Sequence, residues 1–158
     1  MSSYSYNTVV LKGDFIRKEA KAGGTITPGM LIEDDGSGNF QAHSTAAGTA
    51  RKLFALENSM IGDAISDDYS SGDRTQAGLF YPGAEVFALL ATGNNVSVGD
   101  ALESDGSGAL QKHSATTTID ATATTTYTID DDDVIVAYAL EAVNNTSGDN
   151  ERIVVEIA

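Results

Sequence analysis

Residues Ile26–Ser44 read ITPGMLIEDDGSGNFQAHS, and residues Val96–Ser114 read VSVGDALESDGSGALQKHS. Laid over one another without a gap, 70 residues apart, they share Gly29/Gly99, Glu33/Glu103, Asp35/Asp105, Gly36/Gly106, Ser37/Ser107, Gly38/Gly108, Gln41/Gln111, His43/His113 and Ser44/Ser114. Ile26/Val96, Thr27/Ser97 and Phe40/Leu110 are conservative replacements. A run of this kind marks an internal duplication. In each copy Asp-Gly-Ser-Gly separates two short apolar runs, and glycine accepts the positive φ that tight hairpin turns demand. Thr27-Pro28-Gly29 is a further turn, with proline presetting φ and glycine able to go left-handed. The duplicated unit is a β-hairpin.

The duplication extends outward on both sides. Downstream, Phe54-Ala55-Leu56-Glu57 is echoed by Tyr138-Ala139-Leu140-Glu141, now 84 residues apart. The added length falls in the Thr-rich stretch Ala115–Asp133, which reads as an exposed, partly ordered loop. Upstream, Phe15–Gly24 and Glu85–Asn94 each read as a strand running into a glycine turn. The segment Arg152–Ile157 alternates, with Ile153, Val155 and Ile157 on one face. No segment sustains a 3.6-residue apolar period, and many short strands at this spacing indicate a sandwich or barrel. The expected fold is therefore all-β: a small β-barrel or β-tulip-like domain built from two related hairpin-rich repeats. Residues 1–12 read as an N-terminal arm and residues 13–158 as a single β domain. Repeat 1 is placed at about 13–62, repeat 2 at about 83–145, and the Thr-rich insert at 115–133.

Composition narrows the function. There are no cysteines, so disulfides, thiolate catalysis and Cys-ligated zinc are excluded. Nine Lys+Arg stand against 23 Asp+Glu, a formal net charge of -14. Such a surface repels a phosphate backbone and an anionic membrane alike, so neither nucleic acid nor membrane is an expected partner. It is a soluble, self-repelling surface, and one whose repulsion high salt would relieve. No stretch approaches the roughly 20 apolar residues of a membrane-spanning helix. The opening MSSYSYNTVVLKGDF lacks the charged n-region of a secretory leader, so none is expected.

Catalytic and metal-binding patterns do not assemble. His43 and His113 occupy equivalent repeat positions, but neither has a local partner at metal-ligand spacing. Each reads as a strand-end histidine packed under an Asp-Gly turn. Glu33–Asn39 looks superficially like a calcium loop, yet the twelfth position from Asp34 is Thr45 and not a bidentate glutamate. There is no Gly-x-Ser-x-Gly elbow, and Gly23-Gly24 is not followed by a phosphate-binding Lys-Ser/Thr. Asp67-Asp68 and Asp130–Asp133 lie in polar loops, where paired acids are ordinarily solvated. The chain is read as no enzyme, with no catalytic residue, cofactor or metal.

One succession is more specific than its parts. Ala55-Leu56-Glu57, Ile61-Gly62-Asp63, Asp67-Asp68-Tyr69 and Gly72-Asp73 lead into Tyr81-Pro82-Gly83-Ala84-Glu85-Val86-Phe87-Ala88-Leu89-Leu90. Gly93-Asn94-Asn95-Val96 and Gly99-Asp100-Ala101-Leu102-Glu103-Ser104-Asp105-Gly106 follow. From about Lys12 to Ser114, and again near the second Ala-Leu-Glu, this resembles head decoration, or capsid cement, proteins of tailed double-stranded DNA viruses. The resemblance implies a small β-barrel or β-tulip, commonly a homotrimer, on the capsid surface of a bacteriophage or archaeal virus. There it would bridge neighbouring major capsid proteins, and the family carries no catalytic residues to transfer. The Thr-rich insert lies outside the pattern. The rival reading is an extracellular or surface-layer β-module, of a kind that includes carbohydrate-binding modules, which would ordinarily present Trp and Tyr platforms; this chain has no Trp.

The expected interface is the N-terminal segment. It has no acidic residue before Asp14, so it can approach an acidic shell without repulsion. Tyr4 and Tyr6 offer rigid contact area with a polar tip. Thr8, Val9, Val10 and Leu11 form a β-prone run able to add to a neighbour's sheet edge.

Overall fold

The computed structural model describes residues 5–118, 127–129 and 132–158. Its strands are β1 (Val10–Lys12), β2 (Phe15–Ala22), β3 (Ile32–Asp34), β4 (Asn39–Ala42), β5 (Leu53–Ala55), β6 (Arg74–Phe80), β7 (Glu85–Leu90) and β8 (Asn95–Val96). They continue as β9 (Ala101–Ser104), β10 (Leu110–Lys112), β11 (Thr116–Thr118), β12 (Tyr127–Ile129), β13 (Ala137–Ala139), β14 (Val143–Asn144) and β15 (Glu151–Ile157). Among the described residues there is no α-helix, only a 3-10 turn at Asp132–Val134. The all-β expectation holds.

Each repeat closes into a five-stranded barrel. In the first the order is β3-β4-β2-β6-β5, and the bridge Leu31↔Phe54 joins the last strand back to the first. In the second the order is β7-β10-β9-β13-β15, closed by six paired positions between β15 and β7. The two barrels match strand for strand. β2 pairs in parallel with β4, and β7 pairs in parallel with β10. β2 and β7 run antiparallel to β6 and β15, which run antiparallel to β5 and β13. The bridge Ile26↔Tyr69 has its counterpart in the β8–β14 pair, Val96↔Val143. Each barrel is thus completed by a strand lying beyond the boundaries at 62 and 145, namely β6 and β15. Their registers superpose Arg74 on Arg152, since Lys21↔Arg74 matches Leu89↔Arg152.

The duplicated turns show why the repeat kept those residues. Asp35 Oδ1 accepts the backbone N–H groups of Ser37 at 2.7 Å and Asn39 at 3.0 Å. Asp105 Oδ1 accepts those of Ser107 at 2.7 Å and Ala109 at 2.9 Å. Gly36 and Gly38 have φ of 79° and 87°, and Gly106 and Gly108 have 83° and 89°, all left-handed positions that favour glycine. The invariant Glu-Gln pair is a cross-strand contact in both copies: Gln41 Nε2 donates to Glu33 at 3.1 Å, and Gln111 Nε2 to Glu103 at 2.9 Å.

Two large buried clusters and a small one, Leu89, Ala91 and Ala109 with Met30 against it, fill the described residues. One large cluster, with Ile26, Ile32, Phe40, Leu53, Ala55 and Ala77, is the interior of the first barrel. The other takes the interior of the second barrel, including Val86, Leu90, Leu102, Leu110, Ile153 and Val155, and also Val9, Phe54, Leu56, Phe80 and Phe87. Phe54 and Leu56 therefore point away from their own barrel, into the seam between the two.

The N-terminal segment is woven into the core from Thr8 onward. Val9 is 0% exposed, its carbonyl accepts Phe87 N–H at 2.8 Å, and β1 pairs with β7 at Val10↔Val86. Part of the Thr-rich insert falls in strands. Its described parts, β11 and β12, form an antiparallel ladder from Thr116↔Ile129 to Thr118↔Tyr127. Threonine has a high β-propensity.

Candidate functional site

The histidines do not meet. His43 is buried with Nδ1 2.7 Å from Ser104 Oγ and Nε2 3.6 Å from Glu33. His113 Nδ1 lies 2.6 Å from Glu103 Oε2, the glutamate buried and the histidine partly so. Each histidine sits against the glutamate of its own repeat, and each glutamate also holds the repeat's glutamine. Among the described residues no three potential ligands gather as a metal set.

Acidic loop residues are spent on the backbone. Asp67 caps Ala64 N–H at 2.7 Å, Asp73 caps Ser70 N–H at 2.8 Å, and Asp100 caps Ser97 N–H at 2.8 Å while taking Lys112 Nζ at 2.7 Å. Hydrogen bonds from the Asn39 side chain, then from the Asn39 and Ser37 N–H groups, hold Asp35 below its ordinary value of 3.8. A carboxyl depressed in the folded state contributes stability that is present above the unfolded value and lost as pH falls through the folded one. Asp35→Asn is thus expected to lower the melting temperature at pH 7, with the gap to wild type narrowing below about pH 3.8. A gap constant from pH 7 to pH 2 would show that the charge contributes nothing.

The seam between barrels is held by cations and backbone. Arg152, on β15, donates from Nη1 to Pro28 O at 2.9 Å and from Nη2 to Ile65 O at 2.7 Å, with its guanidinium 5.7 Å over the Phe87 ring. Burial lowers its pKa, and Glu57 and Asp68 oppose that. Lys52 donates to Ile135 O, and burial lowers its pKa too. Leu31 N–H reaches Gly108 O at 2.8 Å, and Ala47 N–H reaches Ser104 O at 2.9 Å. Arg74, the counterpart of Arg152, lies instead in an exposed pair with Glu19 at 3.5 Å.

The sequence-derived interface residues divide. Tyr4 lies outside the described residues. Tyr6 is exposed and sets its ring edge-on against Phe87 at 5.3 Å. Thr8 Oγ1 donates to Glu57 at 2.6 Å, and Val9 N–H donates to the same carboxylate at 3.0 Å. Val9 has no surface to offer, whereas Val10 and Leu11 are half-buried. Sequence reasoning passed over the exposed apolar side chains of the second barrel, Val98, Tyr138 and Leu140. One signal was present: at the aligned Ala-Leu-Glu position, tyrosine replaces phenylalanine, and a tyrosine keeps a polar tip that water can reach.

No family model matches the sequence, and no curated protein matches it. Among solved structures, the chain is similar to the N-terminal base of the head fiber protein gp8.5 of bacteriophage phi29. The likeness covers 92% of this chain and 95% of that one, with a TM-score of 0.55 and 16% sequence identity. At that identity it is a likeness of fold, and it spans both barrels: this chain is folded like the base of a phage head fiber.

Proposed function

We propose that this chain is a non-enzymatic structural protein of a virion, bound to the outer surface of a capsid. The observation that carries the reading is the fold likeness to a phage head fiber base, which takes in nearly the whole of both chains. It agrees with the order of motifs that resembles head decoration proteins. The physical character of the molecule fits as well. Two closed barrels leave few open strand edges, the seam is tied by backbone bonds, and the acids are used to fix turns. In this role the chain is a homotrimer that bridges neighbouring major capsid proteins, and the lattice multiplies modest contacts by multivalency. Tyr4, Tyr6, Val10 and Leu11 contribute to the contact with the capsid or a neighbouring subunit, with Thr8 and Val9 anchoring that segment to the barrel.

Light scattering on the purified protein, followed by co-sedimentation with capsids stripped of it, tests the reading. The expected result is a trimer mass and saturable binding in a fixed ratio to the major capsid protein. A monomer that fails to sediment with capsids at any concentration would overturn it, and retention on a glycan array would then favour the surface module.

A further inference from the structure

The duplication supplies an internal comparison of the same surface in two states. In both barrels the turn before the hairpin docks on the Ala-Leu-Glu strand through the same bond. Gly29 N–H donates to Ala55 O at 2.8 Å, and Gly99 N–H donates to Ala139 O at 2.8 Å. The turn and the strand together make one outward face. In the first barrel that face is Pro28, Gly29, Phe54 and Leu56, and all four are buried. The second barrel covers it: Arg152 takes Pro28 O, Leu89 N–H reaches Gly29 O at 3.3 Å, and Phe54 and Leu56 join the cluster holding Phe87 and Val154. In the second barrel the equivalent residues are Val98, Gly99, Tyr138 and Leu140. There Val98 is 67% exposed, Tyr138 40% and Leu140 37%.

We infer that the Val98–Tyr138–Leu140 face is a protein-docking surface, occupied by the major capsid protein; this rests on the capsid reading above. The first barrel shows what such a face accepts: apolar side chains like Phe87 and Val154, beside an arginine that reaches the turn carbonyl. Charge points the same way. Tyr138 stands opposite the exposed Glu156 in the ladder, on a chain of net charge -14, so the complementary partner carries basic residues around its apolar contact. A second copy docking in the same manner lacks the complementary surface. Where the second barrel has Phe87 and Leu89, register places the exposed Glu19 and Lys21 in the first.

The test is Tyr138→Thr combined with Leu140→Thr, which removes apolar area while placing a β-branched residue at the strand position 138. Val98→Ser serves as an independent variant should the double variant misfold. Wild type and variants are co-sedimented with stripped capsids at sub-saturating concentration, and their masses are measured by light scattering. The expected result is an at least tenfold loss of capsid occupancy with unchanged mass and melting temperature. Variants that bind like a binding wild type overturn the docking face and leave the capsid reading standing. Failure of wild type and variants alike overturns both. Variants that fall from oligomer to monomer place a second copy on this face and overturn the choice of partner.

Discussion

Phe54→Ala is expected to lower the free energy of unfolding by about 3–5 kcal/mol, the range for deleting a fully buried aromatic side chain. Tyr138→Ala, at the duplicated position, should cost about 1 kcal/mol or less, the span of β-propensity on an exposed strand. Phe54 is 0% exposed and meets the Phe80 ring edge-on at 6.0 Å, and the cavity it leaves lies in the seam where both barrels would have to move to fill it. Tyr138 borders solvent, so water takes the vacated volume. Urea unfolding of the two variants beside wild type gives the comparison directly. Equal losses would mean that the two faces are equally packed in solution and that the seam is not as described.

Removal of residues 1–12 should be far more damaging than removal of residues 1–7. The shorter deletion takes away the Tyr6–Phe87 contact, worth about 0.5–1.5 kcal/mol. The longer one also uncovers the site of Val9, whose burial contributes about 1.5–3 kcal/mol. It further strips Glu57 of Thr8 and Val9, and a half-buried carboxylate left without donors costs about 1–3 kcal/mol more. It removes β1 from β7 as well. Thermal melts should show the shorter variant within a few degrees of wild type and the longer one shifted by about 10 °C or more, at about 2–4 °C per kcal/mol for a chain of this length. If both melt alike, β1 is not part of the stable barrel. Capsid occupancy by the shorter variant separately measures what Tyr4 and Tyr6 contribute, and undiminished binding would reduce that segment to a structural strap.

Much of this architecture is local and so was legible in the chain. The Asp-Gly-Ser-Gly turns, the paired Ala-Leu-Glu strands and the alternation of Ile153, Val155 and Ile157 all express short-range rules of φ and of period two. What stayed hidden depends on distant pairing. β6 reads RTQAGLF and β15 reads ERIVVEI, and only their shared arginine hints that they close equivalent barrels. β1 looks like any short β-prone terminus until Glu57, 48 residues away, is seen holding Val9. The burial of one candidate interface residue was hidden for the same reason. Val9 is apolar because it is buried in its own sheet. The exposed second-barrel face is apolar without any period or motif to announce it.

Closure of each barrel by its final strand has a consequence for synthesis. The first barrel can complete itself once Phe80 has left the ribosome, whereas the second must wait for Ile157. At about 5–20 residues per second, the 77 residues from Tyr81 to Ile157 take roughly 4–15 s to translate. Through that interval Phe54, Leu56 and Pro28 form a bare apolar face on an otherwise finished nascent unit, open to chaperones and to identical faces on neighbouring chains of the same polysome.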